Sequence, residues 1–168
     1  GYYKPSEVKH TVSPSMDIQV ASNFERLIFD ISSGSSERTI KLMKDLNELG
    51  EFKIEKSELK KIKDNFLAES LSEEETKSII SETYKNHKIL IDPHTAVGVG
   101  VIKKISLEGN TVVLSTAHPS KFSDVVMEAS SVKAELPENL KNILVGKENY
   151  DKLPKDLEKV KNYILERA

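Results

Sequence analysis

The residues best suited to chemistry fall in three short runs. They are Ser13-Pro14-Ser15-Met16-Asp17, Asp92-Pro93-His94-Thr95-Ala96 and Thr116-Ala117-His118-Pro119-Ser120-Lys121. Thr116 follows an apolar stretch, so its hydroxyl either caps a following helix or faces a cleft at the carboxyl end of a strand. His118 has the chemistry of a general acid or base, because imidazole titrates near neutrality; alternatively it braces a loop whose turn Pro119 fixes. Asp92 and Thr95 stand at a helix start, where they line a site or cap the helix, and the free N–H groups there favour an anion. Lys121 either attracts an anion or is a solvated residue in a helix's first turn. His94 and His118 invite a metal reading, but without cysteine or an i,i+4 histidine pair no metal site is expected.

The elements that must position these runs are mostly helices. Residues 1–20, with Pro5 and Pro14, read as an extended loop ending in a short strand at 17–20. Ser22 or Asn23 caps a helix whose apolar face is Phe24, Leu27, Ile28 and Ile31. Gly34 breaks it, and a second helix carries Ile40, Met43, Leu46 and Leu49, with Gly50 at the left-handed C-terminal position. Ser57 is expected to cap a helix bearing Leu59, Ile62 and Phe66. Ser72-Glu73-Glu74-Glu75 is a capping box opening a helix with Ile79, Ile80 and Tyr84. These two Lys- and Glu-rich helices read as a surface hairpin packed on one side, at about residues 51–86.

Beyond it, residues 94–104 are expected to be helical despite Gly98 and Gly100. Each glycine costs about 1 kcal/mol against alanine, so close packing against another element is the expected compensation. Residues 111–115, Thr-Val-Val-Leu-Ser, form the best strand in the chain. A helix follows through Met127, Pro137 and Pro154 suit the first turns of helices, and a last helix carries Leu157, Val160, Ile164 and Leu165. A buried strand needs neighbours for its backbone donors and acceptors. Some sheet partners are therefore expected from a segment outside this sequence.

Bulk properties exclude several classes. With 38% hydrophobic and 31% charged residues, the 168-residue chain is globular rather than fibrous or disordered. A net charge of −2 gives no electrostatic case for nucleic acid or a membrane surface. No apolar run approaches the roughly 18 residues of a membrane span. The absence of cysteine excludes a disulfide framework and a thiolate metal site and fits a reducing compartment, so a cytoplasmic location is expected. The opening Gly1-Tyr2-Tyr3-Lys4-Pro5 carries no signal-peptide pattern and reads as the start of a processed or excised piece.

In their order, three segments resemble the threonine synthase family, in its enteric- and fungal-like branch. They are Ser13-Pro14-Ser15-Met16-Asp17-Ile18-Gln19-Val20 continuing through Ser22-Asn23-Phe24-Glu25-Arg26-Leu27, then Ile91-Asp92-Pro93-His94-Thr95-Ala96-Val97-Gly98, then Ser115-Thr116-Ala117-His118-Pro119-Ser120-Lys121-Phe122. The resemblance implies an α/β enzyme of the tryptophan-synthase-β-like pyridoxal-phosphate (PLP) group. Residues 1–168 would be the helix-rich, strand-poor C-terminal part of its catalytic unit, with a helical insertion at about 51–86. The implied reaction converts O-phospho-L-homoserine and water to L-threonine and phosphate.

The resemblance also implies roles. Thr116 would hydrogen-bond the PLP pyridine nitrogen and leave it largely unprotonated, which tunes the cofactor as an electron sink. Ser15 and Met16 would lie near the cofactor, with Met16 either on its ring or in an ordinary core. Thr95 would line the site or cap its helix. Lys121 would steer the substrate phosphate or remain solvated, and His118 would serve as a loop brace or a proton carrier. The family's Schiff-base lysine stands in a Phe-Lys-Asp setting that this sequence lacks, as it lacks a glycine-rich phosphate loop; Gly34 among serines reads as a linker. The remaining N-terminal part of the enzyme is thus the expected partner, and this chain alone is expected to be inactive. Two other readings stay open, a non-catalytic helical binding module using residues 51–86 and a degenerate synthase-like protein.

Overall fold

Capping chemistry accounts for most helix boundaries in this computed structural model, which describes residues 1–105, 107–143 and 145–168. Its elements are β1 (Tyr2–Tyr3), α1 (Phe24–Ile31), α2 (Ser36–Leu49), β2 (Phe52–Lys53), α3 (Lys56–Asn65), α4 (Glu73–His87), α5 (Pro93–Ile105), α6 (Ser123–Ser130) and α7 (Leu157–Leu165). Short 3-10 turns occupy Pro14–Met16, Pro119–Phe122 and Glu138–Leu140. Ser35 accepts the Arg38 N–H at the start of α2, and Gly50 ends that helix at φ +75°, where a side chain would be strained. The Ser72–Glu75 capping box is present on α4. On α3 the cap is Glu55 rather than Ser57, with the Glu55 N–H donating to Glu58 Oε2 at 2.8 Å. The glutamate three residues on thus satisfies the backbone N–H of the N-cap itself, one half of a capping box.

The chain divides into two compact units, Gly1–Ala134 and Glu135–Ala168. The first unit holds two apolar clusters. Ile28, Ile31, Leu42, Phe52 and Ile54 form one, joined by Tyr3, Phe24, Leu59 and Ile62. Ile79, Ile80, Ile91 and Ala96 form the other, joined by Leu71, Val99, Val125 and Ala129. Ile28, Leu42 and Ile80 are at most 1% exposed, and burial of each side chain contributes about 1.5–3 kcal/mol. On α2 the buried face is Thr39 and Leu42 with Met43 and Leu46, while Ile40 and Leu49 face solvent.

The two helices expected to form a hairpin take different partners. α3 packs on α1, and Lys61 Nζ reaches the α1 C-terminus to meet Ile31 O at 2.6 Å. α4 packs instead on α5 and α6. Each helix thus buries its apolar stripe in a separate cluster. The two glycines of α5 have the expected steric reason. A Cβ on Gly100 would stand 2.3 Å from Leu71 Cδ1, and one on Gly98 would stand 3.1 Å from Val113 Cγ1.

Both expected strands are corrected. Residues 17–20 form no strand and bend at 19 and 20, with Asp17 turned back to accept the Thr11 N–H and hydroxyl, each at 2.7 Å. Residues 111–115 belong to no β-ladder; among the described residues the only strand pair is β1 with β2, antiparallel, Tyr2 opposite Lys53. Val112 and Leu114 are 85% and 76% exposed. In the second unit Pro137 caps a 3-10 turn, and Pro154 precedes α7, whose cap is Asp156. Among the described residues no helix is long and apolar enough to cross a membrane.

Candidate functional site

The N-terminus of α5 gathers the chemistry-bearing runs. Asp92 stands at the N-cap, its carbonyl accepting the Ala96 N–H and its carboxylate the Thr95 N–H, and Pro93 is the first helical residue, where a missing N–H costs nothing. Asp92 is fully buried, and its carboxylate receives four donors. Oδ2 accepts from His94 N at 3.0 Å and His94 Nδ1 at 2.9 Å. Oδ1 accepts from Thr95 N at 3.3 Å and from the Thr95 hydroxyl. Four donors match the roughly four lone-pair positions of a carboxylate, so this buried group is fully satisfied without a cation.

Two further bonds carry the site outward. The Ser15 N–H donates to His94 Nε2 at 3.1 Å. The Thr116 N–H donates to Thr95 Oγ1 at 3.2 Å. An Nε2 that accepts carries no proton, so the hydrogen-bond geometry assigns His94 as the neutral Nδ1–H tautomer. Both ring nitrogens are therefore committed, which leaves His94 no free position for a ligand or proton transfer. Its ring also packs on Phe122, with centroids 4.7 Å apart.

The expected site residues are distributed around this hub. Ser15 and Met16 sit on the 3-10 turn and are exposed, Met16 at 46%. Asp17 secures that turn, and the hydrogen bonds from Thr11 hold its carboxyl below the usual carboxylate range. Thr95 is buried, its hydroxyl used by Asp92 and Thr116. Thr116 is exposed, and its own hydroxyl makes no hydrogen bond among the described residues. His118 caps the Pro119–Phe122 turn, its Nδ1 meeting Ser120 N at 3.2 Å and Ser120 Oγ at 2.7 Å. Lys121 is exposed, with Nζ 5.7 Å from the Phe122 ring centroid and no carboxylate partner among the described residues. Sequence reasoning missed the bridging role of His94 and the ring contact of Phe122. The available signal was Asp followed by donors two and three residues later, the pattern of a doubly used N-cap.

With that geometry in place, the chain can be set beside known proteins. The family model described as threonine synthase, C-terminal, matches residues 95–164. The threonine synthase of Pseudomonas aeruginosa is 34% identical over 96% of this chain and 35% of its own length. That of Saccharomyces cerevisiae is 35% identical over 98% of this chain and 37% of its own length. The crystal structure of PLP-bound threonine synthase from Brucella melitensis superposes with a TM-score of 0.81 at 36% identity, covering 98% of this chain and 36% of that one. The class follows first: this is the helix-rich C-terminal part of a tryptophan-synthase-β-like α/β fold of PLP enzymes. Within that class, the chain is similar to threonine synthases over nearly its whole length, and its residues 95–164 match the C-terminal model of that family. It spans about a third of the length of the curated relatives it matches.

Proposed function

We propose that this chain is the C-terminal part of a catalytic unit that converts O-phospho-L-homoserine and water to L-threonine and phosphate in the cytosol. The Schiff-base lysine and the loop for the cofactor phosphate would come from the remaining, N-terminal part of that enzyme, and this chain alone would be inactive. The observation that carries the reading is Thr116. Its backbone is fixed by Thr95, while its hydroxyl is exposed and has no partner among the described residues. A hydroxyl so presented fits the acceptor nitrogen of a pyridine ring. PLP, when bound, supplies the electron sink that the reaction requires.

This chain's residues would then bind and orient. Thr116 would hold the ring nitrogen, and Ser15 and Met16 would form part of the cleft wall. Lys121, an exposed ammonium free of carboxylates among the described residues, would attract the substrate phosphate. His118 would brace its turn, its Nδ1 being occupied by Ser120. The exposed apolar residues Val112 and Leu114 support docking of residues 111–115 onto a sheet edge of the N-terminal part.

In the complete enzyme, Thr116→Val is expected to lower kcat at least tenfold, whereas Thr116→Ser retains most activity. Equal activity of the two variants would refute the Thr116 role. Mixed with PLP, this chain alone should give no stoichiometric lysine-linked visible band, and such a band would overturn the division of labour. Leu114→Lys should leave the chain's own stability within about 0.5 kcal/mol, since the side chain is exposed, yet weaken assembly with the N-terminal part.

A further inference from the structure

Ser15 and His94 lie 79 residues apart in sequence, and Thr95 and Thr116 lie 21 apart, yet both long-range bonds start from side chains that end on one carboxylate. His94 receives Ser15 N–H on Nε2 and gives Nδ1–H to Asp92; Thr95 receives Thr116 N–H on Oγ1 and gives its hydroxyl proton to Asp92. Each relay is directional, with the proton order along each arm fixed by the acceptor at its root. All three relay residues are at most 5% exposed, whereas the two backbones they hold belong to exposed residues. A rigid buried centre thus carries two surface loops.

We propose that Asp92 is the positioning residue of this site, setting through His94 and Thr95 the separation of the Ser15–Met16 turn from the Thr116 backbone. The inference deepens the reading of Thr116 and Ser15 as cofactor-facing groups and rests on it for its functional meaning. Asp92 itself is fully buried, so it acts only through the two arms. Fixing the root holds both sides of the cleft in register before any ligand arrives, the kind of second-layer hydrogen bonding that orients binding groups. His94 serves the same end twice, since its ring also holds Phe122 beside Lys121.

The test uses nuclear magnetic resonance on this protein without cofactor, reading the ring nitrogens of His94 and the solvent-exchange rates of the Ser15 and Thr116 amides. The wild type should show a protonated Nδ1 and an unprotonated Nε2 that accepts the Ser15 N–H. Thr95→Val removes both the acceptor of the Thr116 N–H and a donor to Asp92 while keeping the side-chain shape. It should speed Thr116 amide exchange about tenfold, the effect of one hydrogen bond, with Ser15 little changed. His94→Phe keeps a ring against Phe122 and should do the reverse. Thr95→Ser and His94→Gln should restore protection at their own arms.

An Nε2–H tautomer or an imidazolium in the wild type would overturn the proposal. So would substitutions that loosen both amides equally, as general softening does. Should His94→Phe fail to fold, the wild-type ring nitrogens and the Thr95 pair still decide. Because no cofactor is present, failure here refutes the two-armed relay alone, whereas failure of the Thr116 variants in the complete enzyme refutes the cofactor reading.

Discussion

Replacing Asp92 by asparagine keeps the size of the side chain and removes half of its accepting capacity. An amide offers one oxygen and one NH2, while the site presents two donors to each side. If NH2 faces His94, it opposes the buried His94 backbone N–H and forces the imidazole to the other tautomer, which then sets Nε2–H against Ser15 N–H. If NH2 faces Thr95, it opposes only the Thr95 N–H, whose bond is the longest of the four at 3.3 Å. The Thr95 oxygen can then accept from the amide. The second orientation is cheaper. One weak bond is lost and the charge assistance of the others disappears, so Asp92→Asn should destabilise the fold by about 2 kcal/mol. With a urea m-value of about 2 kcal/mol/M, the midpoint falls by about 1 M. Amide exchange should rise at Thr116 and stay unchanged at Ser15, with the His94 tautomer preserved. A midpoint within error of the wild type, or loss of the Ser15 arm first, would refute this account of the carboxylate.

A second carboxylate ties α2 to α3. Arg38 Nε and Nη2 reach Glu58 at 3.1 and 2.9 Å, and the Arg38 hydrogen bond, opposed by burial, holds the Glu58 carboxyl below its ordinary value near 4.5. A depressed folded value means the contribution is full above the unfolded value and is lost as pH falls through the folded one. Glu58→Gln should therefore cost about 1–3 kcal/mol at neutral pH and progressively less as pH falls below 4.5 through the lowered folded value; a gap that does not change with pH in denaturation curves would contradict this. Gly100→Val drives a branched side chain into Leu71 and Ile79 and should cost about 1–3 kcal/mol by urea unfolding. Gly98→Ala meets only the end of Val113 and gains helix propensity, so its effect should stay within about 1 kcal/mol.

The amino-acid order alone determined much of the helical frame. The capping box at Ser72, the left-handed Gly50 and the apolar spacing of α1 are local signals, and local hydrogen bonds and side-chain periodicity suffice to fix them. The Asp92 cap was legible for the same reason. The family resemblance in the Ser13, Ile91 and Ser115 segments was equally a property of the linear sequence.

Other features depend on which groups meet across the fold. Ser57 has the local chemistry of an N-cap, yet the helix starts at Glu55, whose N–H meets Glu58 while Glu58 also holds Arg38. Residues 111–115 have strand composition, but a strand exists only where another backbone takes its donors and acceptors, and among the described residues none does. The tautomer of His94 and the common root of the Ser15 and Thr116 bonds were decided only in three dimensions. Hydrogen-bond direction is a property of pairs brought together by packing, and no residue carries it alone.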